Sequence, residues 1–159
     1  MLRIRKATAV DSEDMIRIQR DSLQLQAVNE YSPEQLAYMT AVDDDRSLIP
    51  PDKIKADNYR YIVAEQDGLS VGYGSLDIDK GLLAATFVDP SVARQGIGRT
   101  IAEELQSIAQ DNGIHLLKTY ASLNAAGFYE QLGFQKQDCV DVGGESGPDI
   151  PSVLMEKQL

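Results

Sequence analysis

The residue types and spacing that could do chemistry are concentrated in Arg94-Gln95-Gly96-Ile97-Gly98-Arg99-Thr100, within a chain of 159 residues. Two glycines one residue apart precede a run in which Ile97, Ile101, Leu105 and Ile108 recur at helical spacing. Glycine admits close backbone approach. The first N–H groups of a helix lack internal partners and stand at the positive end of its dipole. A pyrophosphate fits there, held by those N–H groups and by Arg94 or Arg99. Two nucleotide patterns do not match. A Walker A loop needs Gly-Lys-Ser/Thr, but Arg99-Thr100 follows Gly98. A dinucleotide fingerprint needs a small residue at the position of Ile101 and an acid about 20 residues beyond the glycines, where Lys118 stands. What remains is the pyrophosphate site of coenzyme A.

Other chemistries are bounded by composition. With one histidine, His115, and one cysteine, Cys139, neither an intrachain disulfide nor a Cys/His zinc cluster can be assembled, and no metal is expected. His115 is expected in a strand as a satisfied structural histidine, with no serine or cysteine placed to form a nucleophilic motif. Cys139 is expected as a half-buried strand thiol. The net charge of −10 repels nucleic acid, with no basic patch beyond Arg94 and Arg99 to offset it. An acidic field favours cationic acceptors, although solubility alone accounts for it, and the same two readings apply to Asp43-Asp44-Asp45. No apolar run approaches the ~18 residues that cross a membrane. Met1 to Lys6 alternates like a strand and lacks the apolar core of a signal peptide, so a cytoplasmic location is expected.

The elements that must position the glycine loop are legible in outline. Strand character covers Leu2 to Lys6. Thr8 then caps a helix reaching Gln26, with Asp11 at the capping-box position and Met15, Ile18 and Leu25 on one face. Ser32-Pro33-Glu34-Gln35 starts a second helix with Leu36 and Met39 on its apolar side. Asp43 to Pro51 reads as a loop. Tyr59–Glu65, Val71–Asp77 and Leu82–Val88 read as antiparallel strands joined by short turns. After the glycine loop come a helix ending at Asn112-Gly113, a strand from Ile114 to Ala121, and a short helix from Ala125 to Leu132. Strands from Phe134 to Val142 and Ser152 to Gln158 follow. Gly143 to Pro148 is expected to be a mobile loop. The order predicts an α/β fold with a mixed, mostly antiparallel central sheet flanked by helices, in one domain spanning 1–159.

Val88-Asp89-Pro90 followed by Arg94-Gln95-Gly96-Ile97-Gly98-Arg99 resembles motif A of the GNAT acetyltransferases, written Gln/Arg-x-x-Gly-x-Gly/Ala. Ala121 to Phe134, with its Phe128-Tyr129-Glu130-x-x-Gly133-Phe134 ending, resembles motif B of the same family. The order of elements also resembles the family fold over nearly the whole chain. The resemblance implies acetyl-CoA as cosubstrate and direct transfer to a primary amine, whether a small molecule or a peptide. It implies Tyr129 as the acid that protonates the departing thiolate. It implies that the main chains of Phe87 and Val88 face the pantetheine arm, with Val88 N–H polarising the thioester carbonyl. Arg94, Gln95, Gly96, Ile97, Gly98, Arg99 and Thr100 would form the pyrophosphate loop, joined by Phe128 from motif B.

The chain departs from the family pattern in three places. Aligned on Gly96 and Gly98, the motif's first Gln/Arg falls on Ala93, with Arg94 one place later. The asparagine that commonly contacts CoA falls on Ser122, with Asn124 two positions on, and either side chain is within reach of the pantetheine arm. The glutamate many members carry early in the strand before motif A is Leu82 here. Asp77, Asp79, Glu30, Glu34 and a water chain are the remaining candidates for the base. Leu82 also motivates a second expectation, a catalytically silent CoA-binding regulatory module. The two terminal strands are expected to be available for pairing in a homodimer.

Overall fold

A computed structural model describes residues 1–40, 49 and 51–159. The expected loop from Asp43, including its acidic run, lies outside the described residues except at Ile49 and Pro51. Seven strands form one sheet: β1 (Leu2–Lys6), β2 (Tyr59–Gln66), β3 (Leu69–Asp77), β4 (Leu82–Val88), β5 (Leu116–Ser122), β6 (Gln135–Asp141) and β7 (Pro151–Gln158). Their spatial order is β1-β2-β3-β4-β5-β7-β6. Every pairing is antiparallel except β4 with β5, which is parallel. The helices are α1 (Ser12–Gln26), α2 (Pro33–Thr40), α3 (Pro51–Lys55), α4 (Ile97–Asp111) and α5 (Ala126–Gln131). This is the expected mixed, mostly antiparallel sheet flanked by helices. The sequence reading did not find α3; Pro51 at its first position is where proline is tolerated in a helix.

The two faces of the sheet carry different cores. Ile97, Ile101, Leu105 and Ala109 of α4 lie with Leu76, Leu83, Leu117, Val153 and Met155. Met15 and Ile18 of α1 lie on the other face with Val63 and Tyr73. The seating of α4 depends on β3 lacking side chains at Gly72 and Gly74. A Cβ at Gly72 would stand 2.8 Å from Ile101 Cδ1, and one at Gly74 would stand 2.6 Å from Ile101 Cγ2. Larger residues there would push α4 off the sheet.

The first helix differs from expectation in two respects. Thr8 precedes a 3-10 turn, Ala9–Asp11, before α1 begins. Asp11 Oδ2 accepts from Thr8 N at 2.7 Å and from Thr8 Oγ1 at 3.1 Å, while its carboxylate also takes the Arg5 guanidinium. Leu25 is exposed, and the buried stripe runs instead through Met15, Ile18, Ser22 and Leu23. Phase does not account for the difference: at about 100° per residue Leu25 lies roughly 20° from Ile18, whereas Leu23 lies roughly 140° from it.

Candidate functional site

One sheet seam is barely closed. β3 and β4 pair continuously from Gly72↔Val88 to Asp77↔Leu82, with one irregularity beside Ser75. Between β4 and β5 a single register pair remains, Leu82↔Lys118. Beyond it the parallel strands diverge, and the backbone of β4 loses its neighbour. Asp89 N donates to Val71 O at 2.8 Å, which fixes the alternation along this edge. Phe87 and Ala85, in step with Asp89, turn their N–H and C=O groups to β3, so Thr86 and Val88 turn theirs to the gap. The expectation for Phe87 is corrected accordingly. Its main chain belongs to β3, and its ring stacks on Tyr73 with centroids 5.7 Å apart and lines the groove.

The groove that opens at the gap has two lobes. The larger, about 820 Å³, runs past Val88, Ala93, Arg94, Gly96, Gly98, Arg99 and Phe128. The smaller, about 290 Å³, lies between Gln19, Leu23, Tyr38, Met39, Phe87, Tyr120 and Ile150. Ser22, Gln26, Thr86, Asn124 and Ala125 line both, which marks the junction. Tyr129 faces the smaller lobe.

The glycine loop forms one end of the larger lobe. Gly96 caps α4 with φ +82°, a left-handed conformation that glycine adopts without a Cβ clash. Arg94 holds φ +66° with a side chain, a strained conformation in the same turn. The first intrahelical bond is Thr100 N to Gly96 O at 3.1 Å, doubled by Thr100 Oγ1 at 3.1 Å. The N–H groups of Ile97, Gly98 and Arg99 therefore precede the internal ladder and are available to an anion. Ile97 is buried beneath the loop. Arg94 and Gln95 are exposed, and only Arg94 of the two lines the lobe. Arg99 is split between Glu103 at 3.1 Å and the Gln131 carbonyl at 3.4 Å, so it also ties α4 to α5.

Motif B brings Tyr129, on α5, to the smaller lobe. Its ring is 5% exposed, wedged edge-on between Phe128 at 5.0 Å and Phe134 at 5.5 Å. Burial pushes the phenol above its usual pKa of 10.0, while the Thr86 and Thr119 hydroxyls that face it pull the other way. Thr119 Oγ1 donates to the Leu83 carbonyl at 2.9 Å. Two buried oxygens have no hydrogen-bond partner among the described residues, Thr86 Oγ1 and Asn124 Oδ1. Buried polar atoms are nearly always paired, so two orphans on one groove mark where a ligand completes the structure. Asn124 lines both lobes and Ser122 only the smaller, so of the two candidates Asn124 faces the longer ligand path. A ligand with amides along its length and an anionic end fits these donors and acceptors, and coenzyme A has that form.

The remaining sequence candidates fall elsewhere. Asp77 is buried but accepts from Lys80 N at 3.2 Å and lies 3.9 Å from the Lys80 ammonium. Asp79, Glu30 and Glu34 are exposed, and none of these four acids lines either lobe. Leu82, half-buried, lines neither lobe. His115 is exposed ahead of β5 rather than within it, and its carbonyl accepts from Leu159 N at 2.9 Å. Cys139 is exposed, because β6 is the edge strand beside β7 and nearly all of its residues are exposed. Among the described residues no cluster of metal-ligating side chains occurs, and no helix is long and apolar enough to cross a membrane.

Several groove residues escaped the sequence reading. Tyr31 Oη donates to Pro151 O at 2.6 Å and accepts from Leu123 N at 2.9 Å, clamping the turn that carries Ser122 and Asn124. Tyr38 Oη accepts from Gly144 N at 2.8 Å, and Gln35 Nε2 donates to Asp149 O at 2.8 Å. The segment expected to be mobile is thus tied to α2 and further held by Asp141, whose Oδ1 accepts from Gly143 N and Ile150 N. Buried Tyr73 donates its hydroxyl proton to Gln19 and so fixes a groove-facing amide. Ser22 and Gln26 carried the one available sequence signal, polar residues four apart where the buried stripe of α1 should have continued apolar.

The chain matches the acetyltransferase (GNAT) domain family over residues 27–158. An IAA acetyltransferase of Azospirillum brasilense is 32% identical over 125 residues, 73% of this chain and 74% of its own length. A relative from Bacillus subtilis (strain 168) is 31% identical over 104 residues, and the chain spans 66% of that relative. Among solved structures, a GCN5-related N-acetyltransferase from Rhodopseudomonas palustris superposes with a TM-score of 0.87 at 24% identity, over 99% of this chain and 95% of its own. The PaiA N-acetyltransferase of Thermoplasma acidophilum in complex with coenzyme A gives 0.79 at 23% identity, over 100% and 99%. At these identities the structural likenesses speak to the fold.

Proposed function

The chain belongs to the GNAT acetyltransferase family, and on that premise we propose that it moves an acetyl group from acetyl-CoA to a primary amine by direct attack, with Tyr129 as general acid. The carrying observation is the β4–β5 seam, where β4 keeps a single register pair with β5 and Thr86, which faces the Tyr129 hydroxyl, lines both lobes.

In this reading the larger lobe takes the cosubstrate. The N–H groups of Ile97, Gly98 and Arg99, with Arg94 beside them, hold the pyrophosphate. Asn124 bonds the pantetheine arm, and the gap-facing groups of Thr86 and Val88 pair with it as an added strand would. Val88 N–H polarises the thioester carbonyl as negative charge builds on its oxygen. Gln95 and Thr100 shape the loop through the backbone and the Gly96 bond, and Phe128 walls the lobe at Gly98, 3.4 Å from where a Cβ would stand. Phe87 contributes its ring to the acceptor side, and Ser122 lines the acceptor lobe.

The acceptor enters the smaller lobe. Its nitrogen lone pair attacks the thioester carbon, and holding the two together supplies much of the rate. A protonated amine must first lose a proton. With none of the four candidate acids on the groove, water reaching the open lobe is the base in this reading. When the carbon–sulfur bond breaks, Tyr129 donates its proton to the sulfur. Burial supports that role, since a phenol held above its usual pKa stays protonated through the physiological range. The protein works as a single catalytic domain in the cytoplasm, without metal and without nucleic acid as partner. The β6 edge is available for pairing between two copies.

Free thiol released from acetyl-CoA, followed across polyamines, amino acids, aminoglycosides and short peptides, tests the reading. Turnover with one class establishes the activity and its acceptor. Protein that binds acetyl-CoA but releases no thiol with any of them would favour the silent regulatory module instead.

A further inference from the structure

Three hydroxyls meet behind the junction, and their protons can be assigned. Thr119 on β5 commits its proton to the Leu83 carbonyl at 2.9 Å, which leaves it lone pairs only. Tyr129 carries the proton assigned to the departing sulfur. Thr86, opposite Gly74 on β4, faces Tyr129 from the other strand, and its Oγ1 is buried without a partner among the described residues. A buried hydroxyl left unpaired is costly, and valine would fill the same space without that cost. A threonine here therefore has a use that the ligand-free protein does not display.

We propose that Thr86 is a positioning residue for the proton transfer by Tyr129, its hydroxyl donating to the Tyr129 oxygen as that oxygen loses its own proton. The proposal rests on the reading of Tyr129 as the acid. In the step concerned, the carbon–sulfur bond of the tetrahedral adduct breaks and its electron pair passes to sulfur. Sulfur takes the Tyr129 proton, the amide forms, and the proton shed by the attacking amine leaves through water. Water later returns a proton to the phenolate, so no other reactant is consumed. During that interval the phenolate needs a donor in a dry site, where such a bond is strong. Thr119 cannot supply one without abandoning Leu83, and Thr86 can. In the resting protein the Thr86 and Thr119 hydroxyls both face the phenol oxygen, so removing either one changes its surroundings.

The test uses Thr86→Val, which keeps the branched shape, and Thr86→Ser, which keeps the hydroxyl. Thr86→Val should lower kcat for thiol release roughly tenfold. KM for acetyl-CoA, and its Kd by calorimetry, should stay within about twofold, and Thr86→Ser should recover most of the rate. In a Tyr129→Phe background, Thr86→Val should cost nothing further, because a residue acting through Tyr129 has nothing left to act on. A readout without turnover comes from protein labelled with 13C at tyrosine Cζ. The Tyr129 resonance, assigned by its loss in Tyr129→Phe, should shift in ligand-free Thr86→Val and hold in Thr86→Ser. A Thr86→Val enzyme with unchanged kcat, an effect that adds in full to that of Tyr129→Phe, or an unmoved resonance would each overturn the proposal. Failure of the underlying reading looks different: wild-type protein that does not bind acetyl-CoA, or Tyr129→Phe with full turnover, removes the acid itself.

Discussion

Two polar clusters penetrate this sheet, and they are built on opposite terms. At the β1 corner, Arg5 donates to Glu65 at 2.9 Å and to both oxygens of Asp11 at 2.9 and 2.8 Å, and Asp11 also takes the Thr8 backbone and hydroxyl. The strands that carry them are zipped over five register pairs. At the β4–β5 seam there is one pair, and Thr86 Oγ1 and Asn124 Oδ1 are buried with no partner among the described residues. Burial is costly to polar groups in both places. The corner offsets that cost within the chain, and the seam leaves it to be offset by a second molecule. The two orphaned oxygens mark a ligand site because they share one groove; Gln106 Nε2, also buried without a partner among the described residues, lines neither lobe.

The largest effect expected from testing that contrast is at the seam. Tyr129→Phe should lower thiol release about a hundredfold, the lower bound of what a positioned acid contributes, with acetyl-CoA affinity and urea midpoint unchanged. The wild-type rate should also show no alkaline fall below pH 10, because burial holds the phenol above its usual value of 10.0. A rate that declines between pH 8 and 9 would exclude Tyr129 as the titrating acid.

The corner should answer in the opposite currency, stability without activity. The Arg5 guanidinium lowers the Asp11 carboxyl from 3.8 to about 2. A depressed carboxylate stabilises the fold above its unfolded pKa, and that contribution drains as pH falls from about 4 toward the folded value. Asp11 is 5% exposed, so screening trims the effect only modestly. Asp11→Asn should cost about 2 kcal/mol at pH 7 by urea unfolding, with the gap to wild type narrowing below pH 4 and turnover unaffected. Equal losses at pH 7 and pH 3 would mean that packing, rather than charge, holds the corner.

The sequence disclosed the site's chemistry better than its geometry. Gly96, Gly98 and the Phe128-Tyr129 pair announce themselves because a left-handed turn and a family motif demand particular residues at particular places. Seven strands were legible because alternation and short turns are local. The open seam was implied by the family resemblance alone, since divergence of β4 from β5 is a relation between segments some thirty residues apart, and neither records it. The Phe87 main chain was assigned to the gap for the same reason: which way a carbonyl points depends on the register with β3, set by Asp89 and Val71. Tyr31 and Tyr38 carry no local signal of a role, and their long-range bonds to Pro151 and Gly144 reveal them as clamps. Leu25 shares the phase of Ile18, and its exposure in the last turn of α1 is not written in the periodicity.

The smallest effect draws the contrast most sharply, because it asks one substitution to do opposite things to fold and function. Asn124 Oδ1 is buried without a partner in the ligand-free protein, so removing it deletes an unmet need rather than a bond. Asn124→Ala should leave the urea midpoint unchanged within about 0.5 kcal/mol or raise it, where a polar truncation at the corner lowers it. The same variant should weaken acetyl-CoA about five- to tenfold by calorimetry, near 1 kcal/mol of binding energy. Ser122→Ala, on the acceptor side of the junction, should change that affinity less than about twofold, which separates the two residues that motif alignment leaves equivalent. A destabilised Asn124→Ala would mean that the amide already has its partners within the chain, and the seam would then be a structural gap like any other. Affinity lost through Ser122 instead would move the pantetheine path toward β5 and away from the orphaned oxygens.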